Sequence, residues 1–356
     1  MGSAALRIVI PGGTGQLGRT LTRYFSGRGD RVTVLTRNAR RAGPAAQAPG
    51  SEKDPVPWRT LPWDGETLGE WTEALEGADV LINLAGRSVN CRYTPENQRE
   101  ILASRVRSTQ ALGEAIRGLV QPPKVWMNAS TATIYRHTFD RAMDEVAGEI
   151  GGREADAPAS WQFSIDVAKQ WEESFFAAAT PCTRKVALRG GMVMSPAPGG
   201  IFWQLLRLVR VGLGGAAGSG NQYVSWIHEL DFVKAVDYLI AHREIESAVN
   251  VTAPVPLPNR DFMRALGEAW GIGFGLPASE WMLAVATFVH RTESELLLKS
   301  RRVVPRRLLE HGFQFEFPNW PEAARDLVGR WRARPIERAR RECIQKVLEE
   351  SHERSN

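Results

Sequence analysis

Residues 7–18 read RIVIPGGTGQLG, and this stretch decides the fold. The apolar run Ile8-Val9-Ile10 predicts a buried strand, the glycines after it a turn, and the residues beyond a helix N-terminus. That is the opening unit of a doubly wound, mostly parallel α/β sheet. Gly12, Gly15 and Gly18 stand in the spacing G-x-x-G-x-x-G. Gly12 allows the tight turn, Gly15 lets backbone approach a pyrophosphate, and Gly18 lets the helix pack against the sheet. A glycine turn alone is a weak signal. Here a helical period (Leu17, Leu21, Tyr24, Phe25) and a second strand (Val32-Thr33-Val34-Leu35) supply the context that a nucleotide loop needs. Gly12, Thr14, Gly15, Gln16, Leu17 and Gly18 are the expected pyrophosphate cradle, their N–H groups facing the phosphates.

The second strand runs into Thr36-Arg37, with Arg40 and Arg41 close behind. A fold of this kind that selects NAD places an acid about 20 residues past the glycines to accept from the ribose hydroxyls. Arginine cannot accept those bonds, but it pairs with a 2′-phosphate, so NADP(H) is the expected cofactor and Arg37 its phosphate partner. The competing reading is a solvated arginine loop.

Downstream, residues 42–62 are rich in Pro and Ala and read as an irregular insertion ending at Leu61-Pro62-Trp63-Asp64. The run Val80 to Gly86 reads as a buried strand breaking into a loop, and Leu84, Ala85 and Gly86 at its end let a cofactor ribose lie close to the backbone. A helix from about Pro95 to Gly118 follows, then a strand at Val125–Ala129 opening into Ser130-Thr131-Ala132-Thr133-Ile134-Tyr135. Residues 136–160 read as a polar loop over the site, 161–178 as a helix and 185–189 as a strand. This alternation argues for a parallel sheet covered on both faces.

After Arg189 the pattern changes: a helix at Ile201–Val211, then the glycine run 212–220, a flexible lid or a tight crossing. Trp226 to Asp231 opens a helix running to about His242, Val249–Val251 predicts one more strand, and from Asn259 the chain is mainly helical. The expected organisation is a nucleotide-binding core at 1–189, a lid and C-terminal substrate cap at 190–333 with 226–252 returning to the core, and a charged tail at 334–356. There is no internal repeat.

Composition is that of an ordinary globular protein, 43% hydrophobic and 24% charged. The net charge of +5 owes much to Arg330, Arg332, Arg334, Arg338, Arg340 and Arg341, a solvated basic helix rather than a nucleic-acid face. Cys91, Cys182 and Cys343 form no metal-ligand pattern, so no metal is expected, and they suit a reducing compartment. A strand begins almost at once, and no apolar run has membrane-spanning length. The expectation is a cytoplasmic protein without a membrane or nucleic-acid partner, acting on a small molecule.

The glycine turn, Asn83-Leu84-Ala85-Gly86, Ser130 to Tyr135, and Trp226-Ile227-His228 with Asp231 occur in one order. Together they resemble the extended short-chain dehydrogenase/reductase superfamily, and more narrowly its atypical NAD-dependent epimerase/dehydratase-like branch. The Trp171-Glu172 pair, the run Gly212 to Gly215 and Gly312-Phe313-Gln314-Phe315 strengthen the likeness, which covers roughly residues 6–330. The resemblance implies a Rossmann core, NADP(H), a substrate cleft between core and C-terminal part, and, by analogy, a homodimer paired through helices 95–118 and 161–178. Asp64 is expected at the adenine amine.

One departure is catalytic. The superfamily uses a Tyr-x-x-x-Lys pair on the helix after the serine strand, the phenol acting as acid/base. Aligning Glu172 with the family's acid puts Ser164 and Ala168 in those two places; a shift by one puts Phe163 and Val167 there. Neither register restores the pair, and Lys169 has no tyrosine four residues before it.

Two readings follow. In the first the protein is an oxidoreductase or epimerase using other proton carriers: Thr131 matches the hydroxyl that bonds substrate in extended reductases, with Ser130 and Tyr135 beside it. Each has a plainer reading too, capping for the hydroxyls and packing for the tyrosine. A lone histidine at a helix start, His228, reads as structural. In the second reading the protein is a non-catalytic NADP(H) sensor in which cofactor occupancy sets the pose of the 212–225 lid.

Overall fold

The computed structural model describes residues 4–38, 58–152, 154, 158, 161–273, 275–276 and 295–334. Strand β1 (Arg7–Pro11) sits inside a seven-stranded parallel sheet. On one side of it lie β2 (Arg31–Thr36) and β3 (Arg59–Pro62). On the other lie β4 (Val80–Asn83), β5 (Val125–Thr131), β6 (Arg184–Gly190) and β10 (Ser247–Val251). The two-residue period of each strand sends alternate side chains to opposite faces. Ile8, Ile10, Val34 and Ile82 pack with Leu21 and Phe25 of α1 (Gln16–Gly27) and Phe232 and Val236 of α5 (Glu229–Ala241). Val9, Leu81 and Trp126 pack with Leu112 of α2 (Pro95–Arg117) and Phe175 of α3 (Gln162–Ala177). Both faces are covered, so these strands read as nearly unbroken apolar runs.

The sheet's far edge corrects one expectation. Arg59–Pro62 is not irregular: it pairs in parallel with β2, Thr33 opposite Arg59 through Thr36 opposite Pro62. An edge strand needs ladder bonds on one side only, and a proline at its end is tolerated there, so its composition concealed it. Arg40, Arg41, the insertion up to 57 and the tail from 335 lie outside the described residues. A second difference is at Trp226–His228: after β8 (Tyr223–Val224), which pairs antiparallel with β11 (Leu257–Pro258), it forms a short strand β9 parallel to β7 (Met192–Met194) before α5 begins at Glu229.

The glycine run is a tight crossing. Gly215 N donates to Leu276 O and Leu276 N to Gly212 O, while Ala217 N donates to the Asn259 side chain. A second apolar cluster forms beyond the sheet, where Phe202 and Leu206 of α4 (Ile201–Arg210) meet Phe262 of α6 (Asn259–Trp270) and Trp320. Trp320 stacks on Phe262 with ring centroids 3.9 Å apart. No helix among the described residues is long and apolar enough to cross a membrane.

Candidate active site

The glycine loop lies where the sheet order reverses, with β1 between β4 and β2, at the carboxyl ends of the strands. Gly12 has φ +76°, and a Cβ there would stand 2.7 Å from Leu84 O. A Cβ on Gly18 would stand 2.6 Å from Gly12 O, so the start of α1 packs on the turn itself rather than on the sheet. Around Gly15, by contrast, the nearest atom to such a Cβ is Gly12 O at 3.3 Å. Among the described residues no side chain caps α1, and no acid sits in its first turn, leaving its first N–H groups to an anion. The buried Gln16 Nε2, facing Gly200, has no partner among the described residues. An open glycine face, uncapped amides and an unmatched donor at one spot fit a dinucleotide's pyrophosphate.

Around this loop the other expected cofactor residues take their places. Thr14 Oγ1 lies 3.2 Å from Thr36 Oγ1, tying the loop to the end of β2, and Arg37 follows exposed. Leu84 N donates to Pro11 O at 2.9 Å and Ala85 N to Asn83 Oδ1 at 3.0 Å, fixing the ribose-side backbone. Gly86 lies against the Arg105 side chain. Exposed Asp64 makes a turn, accepting from the N–H groups of Glu66 and Thr67 at 2.9 Å and from the Thr67 hydroxyl. The Thr67 hydroxyl above all holds its carboxyl below the usual carboxylate range. An adenine amine would share an oxygen already engaged.

A buried polar clamp that sequence reasoning missed holds the strand ends in register. Asn83 Nδ2 donates to Asn128 Oδ1 at 2.7 Å, joining the last residue of β4 to β5. Thr109 of α2 reaches Asn128, and Trp171 Nε1 of α3 donates to Thr109 Oγ1 at 3.2 Å. Asn83 was visible as part of a motif, but its partner 45 residues away was not.

The three proton-carrier candidates separate by environment. Ser130 Oγ donates to Glu172 Oε1 at 2.5 Å. Glu172 grips Arg189 through both oxygens, at 2.8 and 2.7 Å. Arg189 Nη1 donates to Tyr135 Oη at 2.8 Å, and Tyr135 Oη donates to Asn250 Oδ1 at 3.0 Å. Burial opposes the charge on Arg189, yet the Glu172 carboxylate outweighs it and holds the guanidinium protonated. Burial also pushes the Tyr135 phenol up, with its ring only 2% exposed. Ser130 and Tyr135 are thus committed to a network that fastens β5 to α3 and β6. Thr131 is not: its half-buried Oγ1 accepts from Thr133 N at 3.1 Å and keeps its own proton to donate. His228 caps α5, Nδ1 accepting from Leu230 N at 3.1 Å and Nε2 3.0 Å from Asp326.

Further charge converges from elsewhere in the chain. Arg105 lies over the Trp171 ring at 5.1 Å, and burial lowers its pKa to about 10. From the C-terminal part, Lys299 Nζ donates to Thr133 O and Arg301 Nε to Thr133 Oγ1, each at 3.0 Å. Nothing in the local sequence set these cations apart from the many arginines around them.

Comparison with known proteins follows the same outline. The sequence model of the NAD dependent epimerase/dehydratase family matches residues 8–252, and that of a domain of unknown function, DUF1731, matches 278–327. The epimerase family protein SDR39U1 of Bos taurus is 30% identical over 330 residues, covering 91% of this chain and all of the relative. An epimerase family protein of Staphylococcus aureus strain N315 is 30% identical over 323 residues, 90% of this chain and 98% of the relative. Among solved structures, human SDR39U1 with NADPH superposes with a TM-score of 0.73 at 28% identity, over 90% of this chain and 99% of that one. Bordetella bronchiseptica WbmG, in complex with NAD and UDP, shares the fold at a TM-score of 0.66 and 14% identity, over 92% of this chain and 95% of that one.

Proposed function

Because this chain belongs to the NAD-dependent epimerase/dehydratase family, we propose that it is an NADP(H)-dependent oxidoreductase or epimerase acting at a carbonyl or hydroxyl carbon of a small molecule. The observation that carries this reading is the uncapped start of α1 beside the left-handed turn at Gly12, opening on the carboxyl ends of β4 and β5. When bound, the nicotinamide supplies or accepts the hydride. Gly12, Thr14, Gly15, Gln16, Leu17 and Gly18 hold the pyrophosphate, Leu84, Ala85 and Gly86 line the ribose, and Asp64 meets the adenine. Arg37 recognises the 2′-phosphate, a choice supported by its exposure at the end of β2 and by the NADPH in the human relative. Thr131 orients the substrate oxygen. The core at 1–189 and the cap at 190–333 enclose the cleft, and two copies pair through the outer faces of α2 and α3.

The test is a titration of the purified protein with NADPH and NADH, followed by turnover with aldehydes, ketones and nucleotide sugars. NADPH binding stronger than NADH binding, with NADPH consumed in the presence of one of these compounds, is the expected result. Tight NADPH binding without turnover on any of them would replace the enzyme by the cofactor-sensing protein.

A further inference from the structure

Segment 295–303 carries three ionisable side chains out of reach of bulk water: Glu295 is 4% exposed, Lys299 1% and Arg301 8%. Burying such groups is costly unless they meet close partners, so their partners are informative. Glu295 Oε2 accepts from Ser164 Oγ of α3 at 2.6 Å. Lys299 Nζ lies 3.9 Å from Glu295 Oε1 and donates to Thr133 O at 3.0 Å. Thr133 N in turn donates to Thr131 Oγ1 at 3.1 Å. A chain of polar contacts thus runs from Thr131 at the end of β5, through the buried cation and carboxylate, to Ser164 on α3. Its two ends are half-buried and its middle is sealed.

We infer that Ser164, Glu295 and Lys299 form a proton relay that takes over the work of the absent tyrosine and lysine. The inference rests on the oxidoreductase or epimerase reading above. Ser164 is the residue that the Glu172 register puts in the tyrosine's place. Its Oγ touches the substrate oxygen, and Glu295 and Lys299 act through it as positioning and charge-setting residues. In the oxidising direction the substrate O–H breaks and its proton passes to Ser164 Oγ as the serine's own proton passes to Glu295 Oε2. A carboxyl O–H forms, the serine ends unchanged, and the hydride leaves to an oxidised nicotinamide dinucleotide. Reduction runs the same path backwards. Burial lowers Lys299 to about 8, with Arg301 adding to the effect and Glu295 and Glu154 opposing it. Such a value keeps the ammonium charged near neutrality yet responsive to proton movement beside it. Burial also lowers Arg301, with the charges of Glu295 and Tyr93 opposing it.

A purely structural role, fastening the C-terminal segment to β5 and α3, would depend on shape, hydrogen bonding and the negative charge beside Lys299. Glu295→Gln keeps the first two, removes the charge and cannot take a proton, so the pH–rate profile and a carboxyl band, not stability, separate the two roles. Holoprotein carrying this change is expected to bind NADPH within about twofold of wild type, to lose about a hundredfold in turnover and to lose one limb of its pH–rate profile. Ser164→Thr should retain most of the rate and Ser164→Ala should not. Independently of any substrate, infrared spectra recorded across about pH 5–9, the span in which a proton carrier works, should show a carboxyl stretch that is missing in Glu295→Gln and displaced in pH by Lys299→Met. Glu295→Gln turnover within about threefold of wild type with an unchanged pH profile would overturn the relay. So would the lack of a carboxyl band that depends on both residues. If wild type binds NADPH but turns over no substrate, the enzymatic reading fails and the infrared result still decides the relay. Should Glu295→Gln not fold, Ser164→Ala, at the half-exposed end, carries the turnover and pH measurements.

Discussion

At Gly12 the backbone takes φ +76° while pressed against Leu84 O, so both its conformation and its lack of a side chain are required. Gly12→Ala should cost about 1–3 kcal/mol in backbone strain alone, and the displaced turn should abolish NADPH binding measured by fluorescence titration. Retained affinity would mean that the loop does not hold the pyrophosphate. Arg37 poses a different question, since it is exposed and its removal leaves the fold intact. A hydrogen bond to a charged group contributes about 1.5–3 kcal/mol, so Arg37→Asp should weaken NADPH binding by roughly tenfold or more while NADH binding changes little. Equal losses for both coenzymes would refute the assignment. These positions were proposed from the sequence because glycine spacing and an arginine in place of an acid are local chemistry. Ser164 was marked only by its register with Glu172, and nothing in the sequence linked it to Lys299, 135 residues away.

Helix α3 binds to the sheet through more than apolar packing. Glu172 and Arg189 leave only 10% and 12% of their side chains exposed, and the pair also holds Ser130 and Tyr135. Removing one member strands the other charge in the interior, a loss of about 3–5 kcal/mol. Glu172→Leu should therefore destabilise strongly in urea unfolding, and the double change with Arg189→Leu should recover much of the loss. A small effect of the single change would show that water reaches Arg189 freely. The helices α2 and α3 were predicted within a residue or two of their ends because their apolar periods are long. Strand β3 was not, since four residues with an irregular composition become a strand only when β2 offers them a ladder.

Across the whole molecule, His228 joins the end of the small β7–β9 pair to α5 and to the C-terminal helix at 320–334. Its ring is stacked on Phe317 at 4.1 Å, and Nε2 reaches Asp326. Nδ1 accepts from Leu230 N, so the neutral ring carries its proton on Nε2. Burial holds the imidazole below its ordinary value of 6.5, against the pull of Asp326. The folded state therefore favours the neutral form. The histidine's contribution is full above 6.5 and is lost as pH falls through the lower folded value, because a second proton would have to displace the cap. Melting temperature should drop from about pH 7 to pH 5 in wild type and less in His228→Asn, which keeps a capping oxygen but does not titrate. Parallel slopes would assign the pH response to other groups.

By itself the sequence determined the opening unit of the sheet: strand, glycine turn, helix and second strand are contiguous, and their conformations are set by neighbours within a few residues. Tertiary structure decided the rest. It turned Tyr135 inward onto Arg189 and Asn250, closed the glycine run 212–220 against residues 275–276, and carried Glu295, Lys299 and Arg301 to Ser164 and Thr133. The physical reason is sequence separation. A buried charge or hydroxyl takes its role from whichever group packs against it, and here those groups come from segments more than a hundred residues apart.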